Sequence, residues 1–240
     1  MNRITRFFKV SLFVIQRVLG SRPFPYFFLR RLITSKPELA ASGKTELVIE
    51  GYPRSANSFS VVAFEQAQER EVKIAHHLHV PAQVIRGVQR GIPIVVLLRE
   101  PVSAVASLIV REPALGIRVA LWDYIHFHRT IRRYRDSFLI ARFEDITDDF
   151  GRVIERLNNK WGTQFQVFDH NEENVARAFA RLESLESGRE IGEINEDRVA
   201  RPSGQRSEKS ASIRAQLLSP ACAKRLNQAR ELYDSLCKPD

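Results

Sequence analysis

The hydrophobic positions after residue 44 form short runs that alternate with helical segments. Apolar runs typical of buried strands occupy residues 46–50, 72–75, 92–98 and 137–141. Helical patterning occupies residues 58–70, 81–90, 101–111 and 117–135, and a further helix, with Thr147 as a cap, reaches about Trp161. Because the run at 92–98 is almost continuously apolar, it fits a central strand covered on both faces. The alternation predicts an α/β fold in which helices flank a central parallel sheet.

The pattern changes at both ends of the chain. Residues 171–185 and 220–236 look helical, whereas residues 188–212 between them are polar and without periodicity. That stretch is a candidate lid, or an ordinary solvent loop. Residues 35–44 resemble a linker, with a Pro, a Gly and small side chains. We therefore predict a basic helical arm with its linker at residues 1–44 and a single domain at residues 45–240.

The positive charge is concentrated in that arm. The chain carries 37 Lys and Arg against 28 Asp and Glu, a net charge of +9. Residues 1–37 hold eight of the basic side chains and no acidic one, so the rest of the chain has a net charge of only +1. A nearly neutral body argues against nucleic-acid binding driven by bulk charge. The two cysteines are too few for a disulfide-dense scaffold or a Cys-based zinc site.

The arm begins with a basic amphipathic helix at residues 3–19. One face collects the apolar side chains of Phe8, Leu12, Ile15, Val18 and Leu19. The opposite side carries Arg3, Arg6, Lys9 and Arg17. Such a helix can lie on an anionic membrane surface; the alternative that we prefer is a helix packed on its own domain with its charges in solvent.

The apolar runs are too short to span a bilayer, which takes about 20 residues. A secretory signal fits poorly because Ser11 interrupts the apolar stretch and no small-residue cleavage site follows. An organellar transit peptide shares the Arg-rich, acid-free character and stays open. We expect a cytoplasmic protein, with the arm as its candidate for peripheral membrane contact.

The segment GYPRSANSFS at residues 51–60 is a candidate anion cradle. It connects the first strand to a helix, where backbone N–H groups and the positive end of the helix dipole favour an anion. Arg54 adds a planar positive fork, and Ser55, Asn57 and Ser58 add hydrogen-bond donors. The segment is not a Walker A loop, because no Lys precedes the helix. An ordinary strand-to-helix turn with a Ser cap is the alternative.

A second candidate follows the central strand, in VVLLREPVSAVASL. Arg99 ends the strand, Pro101 opens the next helix, and Ser107 lies eight residues after Arg99. Ligands of α/β sheets bind at the carboxyl ends of strands. Arg99 and Ser107 are therefore expected to bind one phosphate together, with a salt bridge between Arg99 and a nearby acid as the alternative. We expect the N-termini of the helices that follow both strands to contribute to the anion site.

Three of the six histidines lie together in AHHLH, at residues 75–79. No acidic or Cys ligand lies within the segment, so we predict no metal site there. A general base at the end of a strand is the better functional interpretation, with His77 first and His76 or His79 as alternatives. Core or surface histidines without a catalytic role are the other reading.

These three segments, in this order, resemble the P-loop sulfotransferase superfamily, which uses 3′-phosphoadenosine 5′-phosphosulfate (PAPS). YPRSANSF stands at the family's 5′-phosphosulfate loop, and REPVSAVAS at its 3′-phosphate motif R-x-P-x-x-x-x-x-S. RFED at residues 142–145 resembles the family's Y-E-D at the end of a later strand. His77 lies 22 residues before Arg99, a spacing very similar to that of the catalytic His in cytosolic members. The resemblance covers residues 46–162 and implies a three-layer fold with PAPS as co-substrate and no metal.

The resemblance implies a role for each matching residue. His77 would accept the acceptor's proton, and Arg54 would stabilise charge on the departing phosphate. The implied cofactor-binding positions are Arg54, Ser55, Ala56, Asn57, Ser58, Phe59, Arg99, Ser107 and Phe143, with Phe59 and Phe143 stacking on adenine. A loose counterpart of the family's late nucleotide loop adds Arg201, Ser203, Gly204 and Arg206. Ala56 stands where the family has Gly, so the loop either avoids positive φ there or is strained.

The implied activity is sulfonyl transfer to a hydroxyl or amine of a small molecule, a carbohydrate or a lipid, without nucleic acid as a partner. Two other functions stay open. A P-loop phosphotransferase would need the Walker Lys that the chain lacks. A membrane-associated interaction protein with a degenerate nucleotide site would explain the basic arm and the substitutions at Ala56 and Asn57.

Overall fold

A four-stranded parallel sheet forms the centre of the protein. The computed structural model describes residues 2–33, 36–187 and 204–238. Within them the strands are β1 (Leu47–Gly51), β2 (Ile74–His76), β3 (Ile94–Leu98) and β4 (Leu139–Arg142), in the order β2-β1-β3-β4. Every residue of β1 and of β3 is buried, which explains their unbroken apolar runs.

Helices cover both faces of the sheet. They are α1 (Arg3–Leu19), α2 (Pro23–Ile33), α3 (Asn57–Ala67), α4 (Pro81–Gln89), α5 (Pro101–Arg111), α6 (Gly116–Arg132), α7 (Phe143–Trp161), α8 (Glu172–Ser187), α9 (Gly204–Leu217) and α10 (Ala223–Cys237). Leu47 and Ile49 of β1 pack in one cluster with α3, α7 and α8, whereas Val48 packs in another with α4, α6 and α10. This two-sided packing confirms the predicted α/β fold with a central parallel sheet between helical layers.

The structure differs from the predicted elements in three places. Helix α2 was not predicted, since its sequence PFPYFFLRRLI holds two prolines. Helix α9 occupies residues 204–217, part of which was expected to be irregular. Helix α7 begins at Phe143 instead of after Thr147, because the Asp145 carboxylate in its first turn accepts from Arg142 N at 3.0 Å, and the cap expected at Thr147 is wrong. The helix kinks at Asp149, whose φ of −159° is not helical.

Helix α1 packs on the domain in the opposite sense to the one that we prefer from the sequence. Its basic side contacts the body: Arg6 Nε donates to Ala114 O at 3.0 Å, and Lys9 pairs with Glu112 at 2.7 Å. Its apolar face instead points to solvent, and Phe8 and Leu12 are 67% and 68% exposed. In the described part of the chain, no helix is both long and apolar enough to cross a membrane.

Candidate active site

The predicted anion-binding segments meet at the switch point of the sheet. From β1 the chain passes through α3 to β2 at one edge, and it then returns through α4 to β3 on the other side of β1. The connections that leave the carboxyl ends of β1 and β3 therefore diverge around a crevice, which is where open α/β sheets bind ligands. Arg54 follows β1 and Arg99 follows β3, so both guanidinium groups lie at this crevice.

The connection from β1 to α3 is tight and strained. A Cβ on Gly51 would lie 2.5 Å from Leu97 O, so only glycine allows β1 to approach β3 this closely where the chain turns. Arg54 and Ala56 then adopt positive φ angles of 70° and 65°. Of the two possibilities given for Ala56, a loop that avoids positive φ and a strained loop, the structure shows the strained one. A positive φ at a residue other than glycine costs about 1–2 kcal/mol.

The N-terminus of α3 is open to an anion. Its N-cap is Ala56, and no described side chain caps its first turn. The side-chain oxygens of Ser55, Asn57 and Ser60 are buried and accept no hydrogen bond from the described residues. Buried polar atoms are rarely left without partners. The Ser55 and Ser60 hydroxyls can donate, so together with the uncapped helix N-terminus they fit an oxyanion ligand such as phosphate, whereas Asn57 Oδ1 can only accept and does not contribute.

Arg54, Arg99 and Ser107 form one hydrogen-bonded cluster. Arg54 Nε donates to Ser107 Oγ at 3.1 Å, and Arg99 Nη1 donates to the backbone oxygen of Arg54 at 2.8 Å. Tyr124 holds the strand end, because its hydroxyl donates to Arg99 O at 2.8 Å. The Arg99 guanidinium lies 3.9 Å from the centre of the Phe143 ring. The residues assigned to two separate phosphate sites are thus in direct contact.

The N-terminus of α5 is not available to an anion, contrary to our expectation. Both carboxylate oxygens of Glu100 accept from this end of the helix, from Val102 N at 3.0 Å and from Ser103 N at 2.8 Å. This negative side chain is a strong N-cap. An anion beside β3 must therefore be bound by the side chains of Arg99 and Ser107.

His77 reaches the same loop from the end of β2. Its Nε2 lies 3.0 Å from Ser58 Oγ in the first turn of α3, and its Nδ1 makes a hydrogen bond with His76 Nδ1. His77 and His79 have positive φ angles of 58° and 53°. Together with Arg54 and Ala56 they are the four non-glycine residues with positive φ among those that the structure describes. Such strain concentrates at functional sites, and here it gathers at the carboxyl ends of β1 and β2.

The structure of a known sulfotransferase resembles this one. The crystal structure of mouse sulfotransferase SULT7A1 complexed with PAP aligns with a TM-score of 0.52 at 12% sequence identity, over 84% of this chain and 91% of that chain. The protein has a sulfotransferase-like fold. No protein-family model matches the sequence, and no similar sequence is found among curated proteins.

Beneath the crevice lies a buried carboxylate that was not predicted from the sequence. Glu50 in β1 is completely buried, and its carboxylate accepts from Gly51 N at 3.1 Å and from Leu78 N at 2.9 Å. His79 Nδ1 lies 3.3 Å from the same carboxylate and 2.8 Å from Gly51 O. Glu50 therefore fixes the backbone directly after His77 relative to the end of β1. A charged residue in the otherwise apolar run LVIEG was the available signal.

A second buried pair anchors the arm to the same segment. Arg17 Nη1 donates to Leu78 O at 3.3 Å and to His79 O at 2.8 Å, and Arg17 Nε lies 3.2 Å from Asp123 Oδ1. Both side chains are at least 92% buried, with exposures of 8% and 2%. Burial raises the pKa of Asp123 to about 6, although the Arg17 guanidinium opposes the rise. Helix α1 thus contacts the chain next to His77.

The remaining predicted residues are placed as follows. The Phe59 ring is 7% exposed and packs among Phe150, Phe168 and Phe179, so it belongs to the core. Arg201 and Ser203 lie outside the described residues, and Gly204 and Arg206 stand in the first turn of α9. Their nucleotide contacts stay predictions. No group of three or more His, Cys, Asp or Glu side chains suited to a metal occurs in the described ranges.

A surface hollow of about 690 Å³ lies at the other end of the sheet. Its lining includes Thr45, Glu46 and Arg90, at the amino ends of β1 and β3. None of the predicted site residues lies there, and an exposed Arg70–Glu46 ion pair of 2.6 Å forms part of its wall. We place the candidate site at the carboxyl edge because the strained loops and converging cations are there.

Proposed function

We propose that the protein is a PAPS-dependent sulfotransferase. The observation that carries the proposal is the contact of Arg54 with Ser107 and of Arg99 with Arg54, which joins two separate sequence segments beside the uncapped N-terminus of α3. Two guanidinium groups and a helix N-terminus at one crevice suit a ligand with more than one phosphate. The PAP complex of the structural neighbour SULT7A1 agrees with this ligand class.

Each of the two segments would bind a different phosphate group of the ligand. The β1–α3 loop, with Arg54, Ser55 and Ser58, would bind the 5′-phosphosulfate. Arg99 and Ser107 would bind the 3′-phosphate, the group that distinguishes PAPS from ATP. A phosphotransferase is the poorer fit, because the loop lacks the Lys that P-loop enzymes place against the β- and γ-phosphates.

The residues support an in-line sulfonyl transfer. The acceptor oxygen or nitrogen forms a bond to sulfur while the bond from sulfur to the bridging phosphate oxygen breaks. The acceptor's proton passes to His77 Nε2, which is the ring nitrogen on the side of the β1–α3 loop. Arg54 and the N–H groups of the first turn of α3 stabilise the negative charge on the departing phosphate, and 3′,5′-ADP is released.

The acceptor is proposed only as a class. His77 as a general base suits a hydroxyl or an amine whose proton must be removed during attack. Carbohydrates, lipid headgroups and small alcohols all meet that requirement, and a panel of them is the appropriate set of substrates.

The test is release of 3′,5′-ADP from PAPS in the presence of that acceptor panel, for wild type, His77→Ala and His126→Ala. His126 is a matched control, since it is a half-buried histidine that contacts Ser21 outside the crevice. We expect His77→Ala to lose about 10²–10⁴-fold in turnover while it keeps wild-type affinity for 3′,5′-ADP. The control variant should keep both. Wild-type turnover by His77→Ala would remove His77 from this role, and a wild-type protein without affinity for 3′,5′-ADP would refute the function.

A further inference from the structure

Helix α1 exposes the side that a helix on a protein surface normally buries. Its exposed apolar side chains follow a helical spacing: Ile4, Phe7, Phe8, Leu12, Ile15 and Val18. All six are more than half exposed. The side turned to the domain packs Val10 and Phe13 against a core cluster. Beside them lie Lys9, which pairs with Glu112, and the buried Arg17. Because Arg17 is fixed by Asp123 and two backbone oxygens, α1 cannot rotate its apolar face inward without breaking a buried ion pair.

Helix α2 also exposes many of its apolar side chains. It buries Tyr26 and Phe27 but leaves five large apolar side chains exposed: Phe24, Phe28, Leu29, Leu32 and Ile33. Their exposures range from 41% to 85%. Of the fourteen exposed large hydrophobic side chains in the described part of the chain, eleven lie in α1 and α2. Isolated apolar residues are normal on a protein surface, but a concentration of this kind indicates a binding surface.

The positive charge around these side chains indicates which kind of partner they bind. Arg3, Arg22 and Arg31 are exposed within the same two helices and their connection, and residues 1–37 hold no acidic side chain. A second copy would bring an equally basic arm against this one, so like charges oppose self-association. An anionic lipid surface matches both features, because it accepts apolar side chains between its headgroups and attracts Arg and Lys.

We infer that the exposed face of α1 and α2 docks on an anionic lipid membrane, with the apolar side chains inserted at the headgroup level. This inference is independent of the proposed sulfotransferase activity. It concerns a surface that the domain itself holds in place through Arg17, so docking does not require the helices to refold.

Vesicle co-sedimentation tests the inference. The full chain is mixed with vesicles of phosphatidylcholine alone or of phosphatidylcholine with phosphatidylglycerol, at low and at high salt. We expect binding to the anionic vesicles that weakens with salt and little binding to the neutral ones. Equal binding to both kinds of vesicle, or none to either, would overturn the inference.

Two apolar double variants locate the surface. Leu12→Ser with Ile15→Ser, which changes only exposed side chains, should weaken binding to anionic vesicles by about tenfold or more. The control, Val167→Ser with Leu218→Ser, changes two side chains that are 45% and 58% exposed elsewhere, and it should bind like wild type. Loss of binding in the control and not in the α1 variant would contradict the assignment.

Two further measurements separate the remaining outcomes. Arg22→Gln with Arg31→Gln should reduce binding to anionic vesicles and the dependence of that binding on salt. Unchanged binding would refute the role of these arginines in attracting the membrane.

Sedimentation velocity without vesicles should show a monomer. A dimer that dissociates in the Leu12→Ser, Ile15→Ser variant would assign the face to a second copy and overturn the inference. The unfolding midpoints of all variants in urea establish that each one is folded.

Discussion

Replacing Arg17 by Met tests how firmly α1 is joined to the candidate site. The substitution keeps most of the apolar stem but removes the guanidinium that pairs with Asp123 at 3.2 Å and donates to the backbone oxygens of Leu78 and His79. Asp123 is almost completely buried, so without Arg17 its charge has neither water nor that guanidinium beside it. We expect the free energy of unfolding at pH 8 to fall by about 3–5 kcal/mol, as for other broken buried pairs.

The raised pKa of Asp123 determines how the loss of stability in Arg17→Met depends on pH. Burial raises this pKa to about 6 from the ordinary 3.8, so ionisation costs the folded state about 3 kcal/mol. For a carboxyl with a raised folded pKa, that cost is absent below the ordinary value and is complete above about pH 6. The destabilisation by Arg17→Met should therefore be smaller at pH 5, where Asp123 is largely protonated when folded, than at pH 8.

Urea denaturation followed by tryptophan fluorescence measures the effect, since Trp122 neighbours Asp123 in α6. Adding Asp123→Leu to Arg17→Met should recover most of the loss and leave about 1–3 kcal/mol for the two unsatisfied carbonyl oxygens. Arg70→Met is the control, because it breaks an exposed ion pair and should cost less than about 1 kcal/mol. A loss under about 1 kcal/mol for Arg17→Met, or equal losses at both pH values, would refute the reasoning.

Two other variants probe the helix N-termini at the crevice. Ala56→Gly should raise the free energy of unfolding by up to about 1 kcal/mol, because glycine adopts a φ of 65° without strain; a clear decrease in urea denaturation would contradict this. Glu100→Ala should lower it by about 1–2 kcal/mol through loss of the α5 cap. The same variant should bind 3′,5′-ADP at least as tightly as wild type, because a carboxylate beside Arg99 is removed and the amides of α5 are released; calorimetry that shows weaker binding would refute the position of the 3′-phosphate.

The fold could be predicted largely from local pattern. The runs that became β1 and β3 are apolar throughout because both faces of each strand are covered, and this produces a clear pattern in a single sequence. Helix α2 was missed for the opposite reason. Its exposed apolar side chains and two prolines do not follow the spacing of a helix that buries one face.

The candidate site was only partly predictable. Arg54, Arg99 and Ser107 follow from motif order, because strand ends of a parallel sheet meet at one edge. The partners of Glu50 and of Arg17 lie 28 and 106 residues away along the chain, and such pairings are set by tertiary packing. The capping of α5 by Glu100 was also missed, although Glu directly before Pro101 at the helix start was a local signal for it.

Calorimetric titration of the protein with 3′,5′-ADP, with ATP as the control nucleotide, tests the central claim most directly. In the proposed function, Arg99 and Ser107 bind the 3′-phosphate, and charge-assisted hydrogen bonds of this kind contribute about 1.5–3 kcal/mol. We predict that 3′,5′-ADP binds about tenfold or more tightly than ATP, and that Arg99→Ala removes this preference. Equal affinity for both nucleotides, or no heat of binding for 3′,5′-ADP, would contradict the account.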